Sequence, residues 1–335
     1  MSMRNELRNT QTGLTMIELM VALAIGSFLI IGAVQIYNQS RQAFVINESI
    51  ARVQETAQFA MDTIEADLRM ASNWGRNSRP VNIEGRSMQG ADNPANLPAP
   101  AGCGATWALD ILMTVDGENN DYTLQCGASG GAGPQANSDN FTVRRATVLP
   151  VAPLEGQMQI QTNRIQGQMF ADGDVPGVFS TAINPATGQP NSTTHNLIVN
   201  TYYVAADSEL IPGTPALRRK SLGVGTAGPV IIDEEVAPGV ENIQIQLGID
   251  VDEDNTVDRY VNPGDAIYNP SLAGYIPGAR VLTARLWLVV RGITPEVGIQ
   301  DNTDYEPGDV DLGVPGDQYR RMQVSKTILL RNARI

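Results

Sequence analysis

From Leu19 to Val34 the chain carries no charged residue. With its flanks, Gly13 to Tyr37, the run approaches the ~20 apolar residues that span a bilayer as a helix. Backbone groups in lipid must bond one another, so a lone spanning segment has to be helical. One ionisable group stands inside the segment, Glu18. A carboxylate at that depth is costly and usually functional. The reading is a transmembrane helix over 14–37.

The preceding piece is short and polar, and it contains Arg4 and Arg8. Basic residues on that side place the N-terminus in the cytoplasm and the bulk of the chain across the membrane. A secretory signal has its small-residue cleavage site beyond the apolar core. Here Gly13 lies before it. One reading is a plain signal anchor, in which Glu18 has no role. The other follows from likeness. Gly13, then Leu14, then Glu18 as the fifth residue after the glycine, followed by Leu19, Val21, Ala22 and Ile25, resembles the class III signal of type IV pilins and pseudopilins. The resemblance implies a prepilin leader over 1–13. It implies a prepilin peptidase that cuts between Gly13 and Leu14, N-methylation of Leu14, and retention of the helix in the inner membrane. It gives Glu18 a part in assembly, facing the α-amino group of a neighbouring subunit. Leu14 departs from the Phe or Met more common at that place in the family.

No proline occurs before Pro80. Beyond the apolar run, Ile46, Ile50, Val53, Ala57, Ala60, Ile64, Leu68 and Ala71 recur at steps of three and four, one face of a helix. Glu48 with Arg52 and Glu65 with Arg69 add acid-before-base pairs at i,i+4. One helix is expected from about Leu14 to about Ser72, with 38–75 as its periplasmic continuation and a stop at Trp74-Gly75. A coiled coil is the other use of such a stripe.

Strands dominate the rest of the chain. Short alternating or β-branched runs appear at Leu109–Thr114, Phe141–Leu149, Gln157–Gln161, Leu197–Ala205, Ala216–Lys220, Val240–Ile249, Val281–Arg291 and Met322–Arg331, separated by Gly- and Pro-rich turns. Ala216–Lys220 should pair with Leu197–Ala205 across Ile211-Pro212-Gly213. Strands do not alternate with helices, which excludes a doubly wound sheet. The expected architecture is α+β, a pilin fold with a long N-terminal helix packed on an antiparallel sheet, and with 76–335 as a β-rich periplasmic domain.

The formal net charge is −13. Such a surface repels phosphates, so direct nucleic-acid binding is not expected. Arg144-Arg145, Arg218-Arg219-Lys220 and Arg320-Arg321 read as solvated strand or turn positions. The two cysteines, Cys103 and Cys126, can pair in an oxidising periplasm, closing a loop that stabilises by roughly 3 kcal/mol. Two free buried thiols are the alternative. With no Cys-x-x-Cys and His195 as the lone histidine, a Cys/His zinc site has little support. His195 reads as an ordinary surface residue. No nucleophile elbow, Walker loop or His-Glu-x-x-His is present, so an enzyme is not expected and no cofactor is required.

Residues 250–258 form an acidic loop. Asp250, Asp252, Asp254 and Asp258 occupy the first, third, fifth and ninth places of an EF-hand-like loop, with the Thr256 carbonyl at the seventh. The sixth place is Asn255 in place of Gly, and the twelfth is Val261 in place of Glu. The two readings are a weak Ca2+ site and a solvated hairpin turn.

Several further segments narrow the likeness. Gln39-Ser40-Arg41-Gln42, Ala51-Arg52-Val53-Gln54-Glu55, Ala66 to Ala71, Val240 to Gln244 and Leu330-Arg331-Asn332 are similar to PilW-type minor pilins. That resemblance implies a low-copy subunit of a type IV pilus that primes assembly in a tip complex. Its implied partners are other minor pilins, the major pilin, the inner-membrane assembly platform and a tip adhesin. A minor pseudopilin of type II secretion, of the related J kind, and a membrane-anchored periplasmic enzyme or adhesin are the alternatives.

Overall fold

The computed structural model describes residues 13–86, 97–100, 103, 107–124, 126–128 and 133–334. The expected leader, apart from Gly13, lies outside the described residues. The chain divides into two compact units, Met1–Ala51 and Arg52–Ile335.

The helix α1 runs Met16–Met70, 55 residues, without a break. It is long and apolar enough to cross a membrane. In the first unit its side chains are exposed nearly all round: Phe28, Leu29 and Ile30 have no cover within the chain. A segment of that kind needs lipid or neighbouring helices as its solvent.

In the second unit the same helix becomes striped. Val53, Ala57, Ala60, Met61, Ile64 and Leu68 are buried. Ile46 and Ile50, expected on the stripe, are not. The helix stops at Met70, five residues before the expected Gly75. Ser72 takes the left-handed conformation, φ 63°, and Asn73 N donates to Met70 O at 3.1 Å. Gly75 has a different task. At φ +79° it lies so close to His195 that a Cβ would stand 2.5 Å from the ring.

Two sheets receive the stripe. The first contains β1 (Ile83–Glu84), β2 (Val115–Glu118), β3 (Asn140–Ala146), β4 (Glu155–Thr162), β5 (Gly167–Asp172), β8 (Thr193–Ala205), β9 (Ala216–Gly225) and β10 (Gly228–Pro238). β6 (Ile183–Asn184) and β7 (Gln189–Pro190) form a separate small ribbon. β8 organises the first sheet: its start pairs with β4, its middle with β3 and its end with β9, all antiparallel. Tyr203 stands opposite Arg218, as the expected hairpin requires. Among the described residues only β1 with β5 is parallel. The second sheet has the order β12 (Arg259–Val261), β11 (Val240–Asp250), β13 (Arg280–Arg291), β14 (Arg321–Leu329). The helix stripe, Phe141, Tyr202 and Val204 of the first sheet, and Ile243, Ile245, Leu286 and Leu288 of the second share one core. A smaller core gathers Trp74, Leu109, Ile111, Met158 and Ile160.

Leu109–Thr114 is not the expected strand but a chain of turns. Its residues Leu109 and Ile111 are buried as their apolar character demands. Backbone carbonyls there need donors other than a strand. Arg144 supplies them, giving its guanidinium to the carbonyls of Trp107 and Met113.

Candidate functional site

The sequence Thr15-Met16-Ile17-Glu18 places a hydroxyl and a carboxylate three residues apart at the start of α1, the pattern of a capping box. Glu18 N donates to Thr15 Oγ1 at 3.3 Å. In return Thr15 N and Thr15 Oγ1 donate to Glu18 Oε2, each at 3.0 Å. Leu19 N donates to Thr15 O at 3.1 Å, the first turn of the helix. The carboxylate thus has neutral donors and no cation among the described residues. Gly13 and Leu14 precede it, and Leu14 is exposed. Weighing Glu18 only as a charge in lipid hides this capping role, although the Thr-x-x-Glu spacing spells it out.

Charges in the second unit are handled otherwise. Asp67, buried on α1, accepts from Arg145 Nε at 3.0 Å, Arg145 Nη2 at 2.7 Å, Asn200 Nδ2 at 2.6 Å, and the Tyr202 hydroxyl. Burial, and then the Asp67 charge beside it, push the Tyr202 hydroxyl above its ordinary value. Glu65, at the other flank of the stripe, pairs with Arg69 and with Lys326 of β14.

The three basic clusters are engaged by partners within the chain, and Arg219 and Arg320 stay partly exposed. Arg144, Arg218 and Lys220 are buried. Burial lowers the Arg144 pKa although Asp116 and Asp110 face it, and burial raises both of those carboxyls. Arg218 reaches Asp233 at 2.8 Å and Glu209 at 3.3 Å. Arg219 reaches Glu234 at 3.1 Å, and Lys220 bonds Asp233. Burial raises Asp233, but bonds from Lys220, Tyr203 and Arg218 outweigh it and hold the carboxyl below its ordinary value. Arg320 pairs with Glu296 at 3.0 Å; Arg321 binds Glu241 and Asp317. No basic patch is left for a phosphate backbone at these positions.

His195 is buried, against the surface reading. β8 begins at Thr193, earlier than expected, and carries the ring inward. Its Nδ1 lies 2.8 Å from Thr147 O and its Nε2 2.9 Å from Thr193 Oγ1. Burial lowers its pKa. Both ring nitrogens are engaged, one by a backbone carbonyl and the other by a hydroxyl of the same strand.

Asp139, just before β3, serves as a splice between sheets. Asp139 N donates to Ile243 O, Ile245 N donates to Asp139 Oδ2, and Asn120 N to its Oδ1, at 2.8 to 2.9 Å. The side chain stands in for a strand along the open edge of β11. Burial pushes this carboxyl up to about 7 against those two donors.

Cys103 and Cys126 form the expected disulfide. Both are buried, and the Tyr122 hydroxyl donates to Cys126 O at 2.8 Å.

The acidic loop is the β11–β12 connection. Oxygens of Asp250, Asp252 and Asp254 lie within 4.8 Å of one another. Asn255, at φ 68°, takes the left-handed turn expected of the sixth place. Asp250 is already engaged: Glu253 N and Asn255 N donate to it at 2.8 and 3.0 Å, and Arg280 pairs with it at 3.0 Å. Asp258 turns to Val251 N at 2.8 Å. Thr256 N donates to Asp254 Oδ1 at 2.7 Å.

A single apolar N-terminal helix with a capped carboxylate at its start, continuing into a face buried on antiparallel-rich sheets, defines a pilin-like α+β subunit. Residues 201–332 match the family described as Type IV Pilus-assembly protein W. Residues 8–34 match the Prokaryotic N-terminal methylation motif. Together the two matches support a type IV minor pilin of PilW type. No curated protein and no solved structure matches the chain. These families are structural components of pili and not enzymes.

Proposed function

We propose that this chain is a low-copy pilus subunit that primes filament assembly within a tip complex of minor pilins. The observation that carries the reading is the pairing of the two family matches on one chain, the methylation motif at 8–34 and the pilus-assembly protein at 201–332. The bulk of Arg52–Ile335 supports low copy number, because repeated lateral packing of so large a unit is sterically demanding. In this reading the peptidase cuts between Gly13 and Leu14 and methylates Leu14. The helix anchors the chain in the inner membrane with its β-rich unit in the periplasm. Glu18 then meets a cation, the α-amino group of a neighbouring subunit, when helices leave lipid for the filament. A carboxylate taken out of water with only neutral donors is stabilised strongly by such a partner. The partners are other minor pilins, the major pilin, the assembly platform and a tip adhesin. The test is deletion of the gene: pilus number falls while the shafts that remain look normal. Immunolabel spread evenly along shafts rejects the tip role. An intact Met1 on mass spectrometry rejects the processing.

A weak Ca2+ site in the loop at 250–258 is a separate proposal. The convergence of Asp250, Asp252 and Asp254 supports it. The Arg280 pair and the turned Asp258 weigh against it.

A further inference from the structure

Along β11, Asn242, Gln244 and Gln246 alternate with the core residues Ile243, Ile245 and Leu247, so they share its other face. An amide on an outer face ordinarily meets water. Gln244 is only 1% exposed, and what covers it is polar. Its Nε2 donates to Asn120 Oδ1 at 3.1 Å, Asn137 O at 3.0 Å and Asn242 Oδ1 at 3.2 Å. Three acceptors around one nitrogen fix which end of the amide faces them. Oε1 is therefore turned the other way, buried and without a hydrogen-bond partner among the described residues.

Asn119 repeats the pattern. Its Nδ2 donates to Asp309 Oδ2 at 3.1 Å, and its Oδ1 is buried without a partner. Asp309 Oδ2 also accepts from Asn262 Nδ2 at 2.6 Å, which leaves Oδ1 outside both bonds. These residues close a ring. Asn119 is next to Asn120, and Asn120 holds Gln244. Gly308, next to Asp309, packs on Gln244 so closely that a Cβ would stand 2.9 Å from Gln244 Cβ. Asp309 returns to Asn119. Asp139 adjoins the ring through Asn120 N, which donates to its Oδ1 at 2.8 Å. Asp309 is near enough for its charge to add to the rise that burial gives the Asp139 carboxyl. No basic side chain is among the groups that act on Asp139. Arg285, opposite Gln246 on β13, is drawn over the Tyr260 ring at 3.5 Å.

A buried acceptor left without a donor is costly, and two in one ring need a shared partner. Carbonyl and carboxylate oxygens, with no nitrogen or sulfur among them, are the ligands of a hard cation. Water could also donate to them, but it would leave two neighbouring carboxylates without a counter-charge. We propose that this ring is a calcium site, with Asn119 Oδ1, Gln244 Oε1 and Asp309 Oδ1 as its protein ligands. Water completes the shell, and Asp139 stands beside it as the second negative charge. Asp309 is exposed and gives the ion a way in. With one ligating carboxylate the affinity falls in the ~10⁻⁴ to 10⁻³ M range of extracellular modules. The ion ties the segment after β2, the middle of β11 and the loop at 308–309 into one piece. Gln244 lies six residues along β11 from Asp250, about 20 Å of strand, so this site is distinct from the loop at 250–258. It does not depend on the pilin reading.

The test uses the full chain in detergent, stripped with chelator and titrated with Ca2+ by calorimetry. Asp252→Ala and Asp254→Ala are both present, so that the 250–258 loop is silent. The expected result is binding in that background, weakened by about tenfold or more when Asp309→Asn is added. Asp309→Asn keeps the shape of the side chain and removes its charge. Where that variant melts lower without Ca2+, Asn119→Ala gives the same comparison from the other side of the ring. Tb3+ in place of Ca2+ supplies a local readout. Trp287 faces Gln244 across β11 and β13, so its excitation should light the bound Tb3+, and Trp287→Phe should darken it with Ca2+ affinity unchanged. No binding up to about 10 mM Ca2+ in the loop-silent background overturns the inference, and water then satisfies the two oxygens. Equal affinity with Asp309→Asn and Asn119→Ala overturns it, as does Tb3+ emission that persists in Trp287→Phe.

Discussion

Glu18 and Asp67 lie on one uninterrupted helix and are treated in opposite ways. Asp67 meets a guanidinium, an amide and a phenol, all delivered by strands of the same chain. Glu18 meets only the hydroxyl and amide of Thr15. The helix supplies the same backbone at both places, so the difference lies in what surrounds it. The fold completes the charge of Asp67 by itself. It leaves the charge of Glu18 to be completed from outside, which is the physical content of the assembly role proposed for it.

That contrast can be broken by substitution. Asp67→Ala removes the counter-charge of half-buried Arg145 and should destabilise the second unit by about 3–5 kcal/mol. Urea unfolding followed by tryptophan fluorescence reads it, and a loss below about 1 kcal/mol rejects the account of the network. Glu18→Ala should do the reverse: the same unfolding midpoint within about 0.5 kcal/mol, normal membrane insertion, and loss of incorporation into pili. Normal piliation with Glu18→Ala as the sole copy dissolves the comparison. Thr15→Ala tests the cap alone, with a cost of about 1 kcal/mol confined to the first turn of the helix.

Gly75→Ala probes a neutral contact beside the charged ones. The left-handed backbone and the approach to His195 predict a loss of about 1–3 kcal/mol, seen as a lower melting temperature.

Asp139 sharpens the contrast through pH. Its carboxyl titrates near 7 when folded against an ordinary value of 3.8. The native state therefore holds a proton that the unfolded chain gives up, and this group's contribution to stability is full below the ordinary value and is lost as pH rises to about 7. Asp317 is the opposite case: bonds from Arg321 lower it to about 2, so its contribution is present above the ordinary carboxylate range and fades as pH falls toward 2. Asp139→Asn should flatten the decline in stability between pH 5 and 7, measured as unfolding midpoints across that range. The smallest effect belongs to calcium. With Asp250 already bonded, millimolar Ca2+ in an Asp309→Asn background should raise the melting temperature slightly at most, and Asp252→Ala or Asp254→Ala should cancel whatever rise is seen.

The helix, its stripe, the disulfide and most strands were legible because each announces itself locally, through a period, a spacing or a compartment. The misread residues share another property. Arg145 is satisfied by Asp67, and Arg321 by Glu241, across long stretches of chain that no local pattern joins. His195 looked polar because the residues before it are polar, yet β8 starts with them. One long-range signal was present. Arg218-Arg219-Lys220 read backwards complements Asp233-Glu234-Glu235, and the structure pairs them in that order. Opposite triplets a hairpin apart mark β9 and β10 as partners, although the acids of β10 break the apolar alternation of a strand.

The core that joins α1 to both sheets also sets a schedule. Lys326 closes on Glu65, and the Asn332 side chain reaches Ala71 O at 3.3 Å, so the last strand and the chain end complete a surface laid down near its beginning. A chain synthesised N-terminus first holds Val53, Ala57, Ala60, Ile64 and Leu68 without their full cover until β14 has been made. Contacts of such long sequence separation form slowly, and the waiting stripe is open to wrong partners. The interval between synthesis of the helix and synthesis of β14 is when this stripe is most open to wrong partners.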